Sequence, residues 1–219
     1  MLNGVIALSL AAVIYAVFYI VPPAEGLGYL VRIAFFHIPV AWVSVLAFFL
    51  SSGCAVQYLR TRNIKYDRLG AASALLGLLF CLVATVSGAF FAKLTWGAYW
   101  NWDPRQTTIF ILLLIYGAYL ALRSSIEEQE QRARIAAVYA LLSGLTVPFL
   151  VFIVPRFYFS LHPEPVINGA GKIEMDNSML YVLFAALAAC TALFARILTW
   201  MVQRKKREQK QCTEEYERS

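Results

Sequence analysis

The chain has 219 residues, of which 60% are hydrophobic, 15% aromatic and only 15% charged, with a formal net charge of +6 and a mean hydropathy of +0.64. Soluble globular domains carry about 25% charged residues, so this composition argues against a soluble domain and against a disordered chain. The positive charge lies in short connectors and a tail, where membrane orientation accounts for it, so nucleic-acid binding is not expected. The composition indicates an integral membrane protein.

Six long apolar stretches follow one another along the chain, each close to the roughly 20 residues that a helix needs to cross a bilayer. They lack the alternation of apolar and polar residues that a transmembrane β-barrel requires, so helices are the better interpretation. We predict an all-α membrane domain over residues 1–202 and a charged cytoplasmic tail over 203–219. The predicted spans are 2–21, 33–59, 69–92, 107–122, 135–154 and 179–202.

The basic residues are unevenly divided between the two sets of connectors. Most of the 19 Lys and Arg residues lie after the second and fourth spans and in the tail. Because cytoplasmic loops are enriched in Lys and Arg, both termini are predicted to be cytoplasmic. The outward connectors are then 22–32, 93–106 and 155–178. The four cysteines all lie outside these connectors, so no disulfide is expected on the oxidising side.

The membrane core offers little polar chemistry. The first five predicted spans contain no Asp, Glu, Lys or Arg, and the sixth contains Arg196, which we interpret as an interfacial anchor. Ion-coupled transporters and proton pumps place such groups inside the bundle, so transport through this bundle is disfavoured. Pro148 predicts a kink near the end of the fifth span. Chemistry is therefore expected at the outer ends of the helices.

Both histidines of the chain, His37 and His162, fall on the predicted outward side. One interfacial histidine alone would be expected to make an ordinary hydrogen bond, but two neutral imidazoles can fill the two axial positions of a heme iron. Pro39 and Pro163 stiffen the backbone beside the two rings. The chain has no Cys-x-x-Cys-His sequence, so covalent heme attachment is not expected.

An aromatic segment lies between the histidines, on the same predicted side: residues 96–106 read WGAYWNWDPRQ. A membrane-interface belt explains Trp42 and Trp200, but a belt requires no fixed spacing, no glycine and no Asp-Pro. Indole faces offer rigid stacking area to a flat macrocycle, and Gly97 would allow close approach of the backbone. Asp103 is predicted to cap a helix that begins at the following proline.

Cationic partners are expected for the anionic heme propionates. Arg105 is the first candidate, because it adjoins the aromatic segment and because guanidinium matches a carboxylate bidentately. Arg32, Lys93 and Arg156 are further outward candidates, whereas Lys172 is interpreted as a solvated charge. The cytoplasmic basic cluster at 204–210 is expected to fix orientation and to contact anionic lipid.

The segment at 96–106 resembles the tryptophan-rich WWD motif of the heme-handling proteins of cytochrome c biogenesis. Within these proteins the chain is most similar to the CcmC family, the heme exporter subunits C. The similarity covers six spans, the motif in the second outward loop, and the sequences FHIP at 36–39 and SLHP at 160–163 in the flanking loops. Tyr99 stands where relatives often have Trp, and it also occurs in the CcsA branch. The CcsA and CcmF branches, however, carry additional spans and extra histidines inside the membrane.

The resemblance implies a multi-pass protein of the bacterial inner membrane that holds non-covalent b-type heme transiently at its periplasmic face. It implies axial ligation by His37 and His162, presentation of heme to the chaperone CcmE, and assembly with the ATPase CcmA, with CcmB and with CcmD. The resemblance implies a heme transfer subunit and not an enzyme, and because the chain has no Gly-x-x-x-x-Gly-Lys-Ser/Thr sequence, any nucleotide hydrolysis is expected to come from a partner. The implied heme platform comprises Trp96, Gly97, Tyr99, Trp100, Trp102 and Asp103.

Three alternatives stay open at this point. The first is a component of a CcsA-type cytochrome c synthase. The second is a b-type cytochrome anchor that exchanges electrons with quinone, although such anchors normally bury their histidines within paired spans. The third is a solute permease, which the scarcity of polar residues in the membrane disfavours.

Overall fold

The computed structural model describes residues 2–162 and 175–218, and within these ranges its regular structure is helical. Six of the described helices are long and apolar enough to cross a membrane, which confirms the predicted fold class. A 3-10 turn at Tyr29–Ile33 leads into the second helix, and a π-helical turn at Phe149–Ile153 joins the fifth to a short sixth. The helices are α1 (Leu2–Tyr19), α2 (Ala34–Thr61), α3 (Ile64–Trp96), α4 (Pro104–Ser125), α5 (Gln129–Pro148), α6 (Val154–Phe157) and α7 (Asn177–Arg218).

Polar caps extend the helices beyond the predicted apolar spans. The Asn63 side chain accepts the backbone N–H of Lys65 and so begins α3, and the Glu128 carboxylate caps α5 in the same way. The apolar run reflects membrane thickness, whereas cap chemistry sets where a helix begins. At the other end of the chain, α7 continues through the predicted boundary at 202 to Arg218, because Lys, Arg, Gln and Glu are good helix formers in water.

The centre of the bundle is α2, which packs against α3, α5 and α7 through small residues. On α3, the Ser73 hydroxyl donates to the carbonyl oxygen of Ala47 at 2.8 Å. On the α5 side, Ser52 donates to the carbonyl oxygen of Ala140 at 2.9 Å, and a Cβ at Gly144 would overlap the Ser52 side chain. Without a hydrophobic driving force between membrane helices, such close backbone approach supplies the packing energy.

The contacts that join helix α4 to its neighbours include an aromatic stack and an ion pair. The rings of Phe48 and Tyr116 stack with centroids 3.6 Å apart. At the other end of α4, the Arg123 guanidinium bonds both oxygens of Asp67 at 2.6 and 2.9 Å. Removal of one member would leave a largely buried charge without its partner, so this pair couples the ends of α3 and α4.

Helix α1 lies at the edge of the bundle and packs mainly on α7. There the Arg196 side chain donates through Nε to the Asn3 side-chain oxygen at 2.6 Å. A hydrogen bond to a neighbouring helix end lets the arginine sit within an otherwise apolar span.

The helix α5 ends at Pro148, where the sequence predicts a kink. Proline has no N–H to donate and its ring crowds the preceding turn, and here a π-helical turn follows before α6 begins. The altered path places the Phe152 ring 5.9 Å from that of Trp42 on α2. The irregular turn therefore forms one wall of the space described below.

The described parts of the three connectors predicted to face outward, residues 22–32, 93–106, 155–162 and 175–178, lie at one end of the bundle. The loop before α4 bonds to the loop after α6 through Asp103 and residues 160–162. The first turn of α2 contacts the last third of α3 through His37 and Ser87. The side of the membrane that this end faces stays a prediction from the basic residues.

Candidate functional site

His162 follows α6 and is held by the loop that precedes α4. Its Nδ1 lies 3.0 Å from Oδ1 of Asp103, a residue that is only 4% exposed. The same carboxylate accepts the backbone N–H of Leu161 at 2.7 Å and the hydroxyl of Ser160 at 2.9 Å. It also accepts the N–H of Arg105 at 2.9 Å, which confirms the predicted cap of α4. One buried carboxylate thus ties the two loops together.

The protonation of this pair follows from its surroundings. Burial would raise the pKa of Asp103, but the N–H groups of Arg105 and Leu161 oppose it, and the pKa of the carboxyl lies below its ordinary value. Burial lowers the pKa of His162, and the Asp103 carboxylate opposes this only in part. At neutral pH the pair is a carboxylate and a neutral imidazole, with Nδ1–H donating to the carboxylate. The Nε2 atom of His162 then keeps its lone pair, as a metal ligand requires.

His37 lies in the first turn of α2, as predicted, and its ring rests against α3. Its Nδ1 is 3.0 Å from the hydroxyl oxygen of Ser87. That hydroxyl donates to carbonyl oxygens of its own helix, Val83 at 2.9 Å and Ala84 at 3.1 Å. A Cβ placed on Gly88 would lie 3.0 Å from the Cε1 atom of the His37 ring, so the ring lies directly over the backbone of α3.

Both histidines line one cavity of about 360 Å³ between α2, α3, α4 and the π-helical turn. An adjoining space of about 170 Å³ shares His37, His162 and Arg105 with it. Small-molecule sites commonly have volumes of about 300–1,000 Å³, mostly apolar walls and a few convergent polar groups. The larger cavity fits this description, and its aromatic wall residues are Trp42, Phe91 and Phe152.

Two of the predicted cationic residues border this cavity. Arg105 lines both the larger and the smaller space. Arg156 lines the larger one and donates through Nη1 to the carbonyl oxygen of Phe152 at 2.8 Å. Lys172 and Pro163, which the sequence also singled out, lie outside the described residues.

Two other cationic candidates are used elsewhere. The Arg32 guanidinium donates to the carbonyl oxygen of Phe18 at 2.8 Å and lies 4.3 Å from the centre of the Tyr29 ring. The Lys93 ammonium donates to the carbonyl oxygen of Gly97 at 2.8 Å and so ties down the end of α3. Neither residue is part of the cavity wall as the structure describes it.

The three tryptophans of the aromatic segment occupy different places. Trp96 meets the ring of His162 edge-on, with centroids 5.1 Å apart. Trp100 borders the smaller space and contacts Phe110 and Trp102 edge-on. Trp102 is 73% exposed and has a φ of +55°, a conformation that is costly for a bulky residue and that often marks functional loops. The indoles therefore run from a histidine to the surface instead of forming one stack.

The remaining platform candidates shape the loop. Gly97 ends α3 with a φ of +81°, and a Cβ there would meet no atom within 4 Å. Its left-handed conformation, and not close backbone approach within the protein, is what requires glycine. Tyr99 is half exposed, meets the ring of Phe90 edge-on, and lines neither of the two spaces.

Three further residues lie at the site, although the sequence gave them another role or no role: Trp42, Ser87 and Gly88. Trp42, interpreted as an interface residue, lines the cavity and contacts Phe152. Ser87 and Gly88 lie against the ring of His37. Small residues in an apolar span usually mediate helix packing, so their presence does not predict a site. The one signal in the sequence is spacing: Gly88 lies one turn before Phe91, which puts both residues on the same face of α3.

Comparison with known proteins agrees with the sequence motif. The family profile described as heme exporter protein C matches residues 1–217. The chain is 31% identical over 170 residues to heme exporter protein C of Bradyrhizobium diazoefficiens, covering 78% of this chain and 64% of that protein. It is 26% identical over 208 residues to heme exporter protein C of Rhodobacter capsulatus, covering 86% and 84%.

A shorter match reaches a second group of proteins. Over 78 residues the chain is 40% identical to the cytochrome c biogenesis protein CcsA of Phaseolus vulgaris, covering 35% of this chain and 24% of that protein. The match to the heme exporter profile extends over almost the whole chain, and it confirms the resemblance seen at the aromatic segment. The chain belongs to the heme exporter protein C family of cytochrome c biogenesis.

Proposed function

We propose that this protein binds heme as its cargo between His37 and His162 and presents it for the maturation of c-type cytochromes. The observation that carries the proposal is that two histidines from distant parts of the chain line one cavity, each with its Nδ1 in a hydrogen bond. Two neutral imidazoles are the axial ligand set of a low-spin heme iron. In this proposal the heme is b-type, as the family resemblance implies, and it is held without a covalent bond, because the chain has no Cys-x-x-Cys-His sequence.

The residues around the cavity offer a heme both cationic and apolar contacts. Arg105 and Arg156 offer guanidinium groups to the propionates. Trp42 and Phe152 form an apolar aromatic surface for the porphyrin ring. In this proposal Trp96 holds the His162 ring through their edge-on contact, and the exposed ring of Trp102 is available to a partner protein.

The arginines give a prediction that can be checked with a modified ligand. Replacing Arg105 and Arg156 together with glutamine is expected to weaken heme binding about 30-fold, because each glutamine can keep a neutral hydrogen bond but loses the extra roughly 1 kcal/mol that a charged one contributes. Hemin titration followed by absorbance measures the affinity. The same titration with heme dimethyl ester, which has no propionate charge, should give equal affinities for the variant and the wild type.

The matched control for this prediction is Arg32→Gln, since Arg32 is an outward arginine that bonds to Phe18 instead of lining the cavity. It should bind hemin like the wild type. Equal loss of affinity in both variants would show that net charge, and not contact with the propionates, is responsible.

The partners follow from the family and from the end of the bundle at which the site lies. In this proposal that end faces the periplasm and both termini face the cytoplasm, so the protein lies in a bacterial inner membrane. The heme chaperone CcmE receives the heme, and the ATPase CcmA acts with CcmB and CcmD in one complex. The chain itself has no phosphate-binding Gly-x-x-x-x-Gly-Lys-Ser/Thr sequence, so the role proposed for it is transfer and not ATP hydrolysis.

The proposal is tested by loading the purified full-length protein with hemin and then adding apo-CcmE. We expect a low-spin absorption spectrum typical of two imidazole ligands, followed by movement of heme to CcmE. A high-spin spectrum, or binding no stronger than that of empty detergent micelles, would overturn the proposal.

A second candidate is direct delivery to apocytochrome c, which the local similarity to CcsA favours. The same loaded protein separates the two functions. Attachment of heme to an apocytochrome without any chaperone would favour the CcsA-like activity, and a strict requirement for CcmE would favour the first.

A further inference from the structure

Ser87 and Gly88 on α3 lie against the ring of His37, at the point where α3 faces the first turn of α2, and Gly88 also lines the cavity. We propose that they form a positioning pair that fixes the tautomer and the plane of His37, so that its Nε2 atom is presented to the heme iron. The inference rests on the proposed function, because it concerns how one of the two axial ligands is held.

The first step concerns the tautomer. The Ser87 hydroxyl lies within hydrogen-bond distance of the backbone carbonyl oxygens of Val83 and Ala84 and of Nδ1 of His37. When its one hydrogen bonds to either carbonyl, the hydroxyl can only accept from the imidazole, so the ring donates its Nδ1–H across the 3.0 Å contact. A neutral imidazole that carries its proton on Nδ1 has its lone pair on Nε2. Ser87 thus selects the tautomer that binds a metal.

The second step concerns the ring plane. A Cβ on Gly88 would lie 3.0 Å from Cε1, 3.5 Å from Nδ1 and 3.9 Å from Nε2 of His37. Ordinary van der Waals contact between carbon atoms begins near 3.5 Å, so even a methyl group would press on the ring edge. The ring cannot retreat with its helix, because Phe35 and Pro39 on either side of it are buried.

The His37 ring is therefore held at Nδ1 by the hydrogen bond to Ser87 and beside Cε1 by the backbone of α3 at Gly88. His162 receives the equivalent support from the Asp103 carboxylate. Metal-bound histidines generally donate their second N–H to such a partner, which fixes the ring and raises its basicity. The contacts at Ser87 and Gly88 give His37 the same arrangement, and Gly88 also lines the cavity that the two histidines share.

The test compares Ser87→Ala, Ser87→Thr and Gly88→Ala in the full-length protein. Ser87→Ala is expected to weaken hemin binding about tenfold, the lower end of the loss caused by removing an outer partner of a metal ligand. It should also raise the reduction potential of the bound heme, because a less basic imidazole stabilises ferric iron less. Ser87→Thr keeps the acceptor hydroxyl and should restore both values. Gly88→Ala should broaden or shift the low-spin electron paramagnetic resonance signal by tilting the ring.

The matched control is Ser44→Ala on α2. Ser44 is fully buried, and its hydroxyl also donates to a carbonyl oxygen of its own helix, that of Ala41. Its hydroxyl bonds within α2 and not to His37 or His162, so this variant reports the cost of losing a buried helical serine. We expect its heme affinity and reduction potential to match the wild type.

A double-mutant cycle with His37→Ala then separates the possible failures. If Ser87 acts through His37, adding Ser87→Ala to His37→Ala causes no further loss of affinity. Additive losses, or wild-type affinity and potential in Ser87→Ala, would overturn the positioning role while leaving heme binding intact. If His37→Ala itself binds hemin like the wild type, the proposed function fails first.

Discussion

Alanine in place of either His37 or His162 is expected to abolish the low-spin spectrum of the hemin-loaded protein and to weaken binding more than about 100-fold. Loss of an outer partner of a metal ligand already costs roughly 10–100-fold in affinity, and the ligand itself contributes more. Each variant should show the spectrum of a five-coordinate, high-spin heme. Absorbance titration gives the affinity, and electron paramagnetic resonance gives the spin state.

Small imidazole added to these variants provides the control for misfolding. The alanine variants leave a space of the size of the lost ring at the cavity wall, so millimolar imidazole should bring back the low-spin signal if the rest of the site is intact. Wild-type occupancy in the double variant His37→Ala/His162→Ala would contradict ligation by these residues. Wild-type melting behaviour of the unloaded variants would show that the loss is local.

The six spans and the position of the histidines could be predicted because they depend on local sequence. Bilayer thickness selects apolar runs of fixed length, and Asp103 followed by proline is a strong helix start. His37 and His162 were predicted to share one side from the distribution of basic residues alone. The structure brings both to one cavity.

The partners of these residues could not be predicted, because they come from distant parts of the chain. Asp103 bonds residues 160–162, and nothing in either sequence segment specifies that pairing. The same limit applies to Ser87, whose contact with His37 depends on how α2 and α3 pack. Two small residues within an apolar run carry no signal of which helix they face.

Tryptophan shows why composition alone cannot assign the wall of the cavity. The sequence assigns Trp42 to a membrane-interface belt and Trp102 to the heme platform, yet Trp42 lines the cavity whereas Trp102 is 73% exposed. A membrane helix is apolar on all sides, so its hydrophobic pattern does not reveal the face that is turned inward. Only the packing of α2 beside the π-helical turn distinguishes the two.

Replacing Asp103 with alanine is expected to weaken hemin binding about 100-fold, the upper end of the range for an outer partner of a metal ligand. The carboxylate accepts the Nδ1–H of His162 and also holds Leu161 and Ser160. Its loss frees both the ring and the backbone that carries it. Asp103→Asn keeps an acceptor for the cap of α4 but removes the charge that selects the His162 tautomer, so it should fall between alanine and the wild type. Hemin titration measures all three.

Asp176→Ala is the matched control, because Asp176 is also a cap: its carboxylate accepts the N–H and the hydroxyl of Ser178 at the start of α7. Loss of a cap destabilises a helix, and both alanine variants should show this as a lower melting temperature. Only Asp103→Ala should also lose heme. If the two variants bind hemin equally well, the Asp103 carboxylate only caps α4 and connects the two loops. His162 would then need no hydrogen-bond acceptor at Nδ1 to act as a ligand.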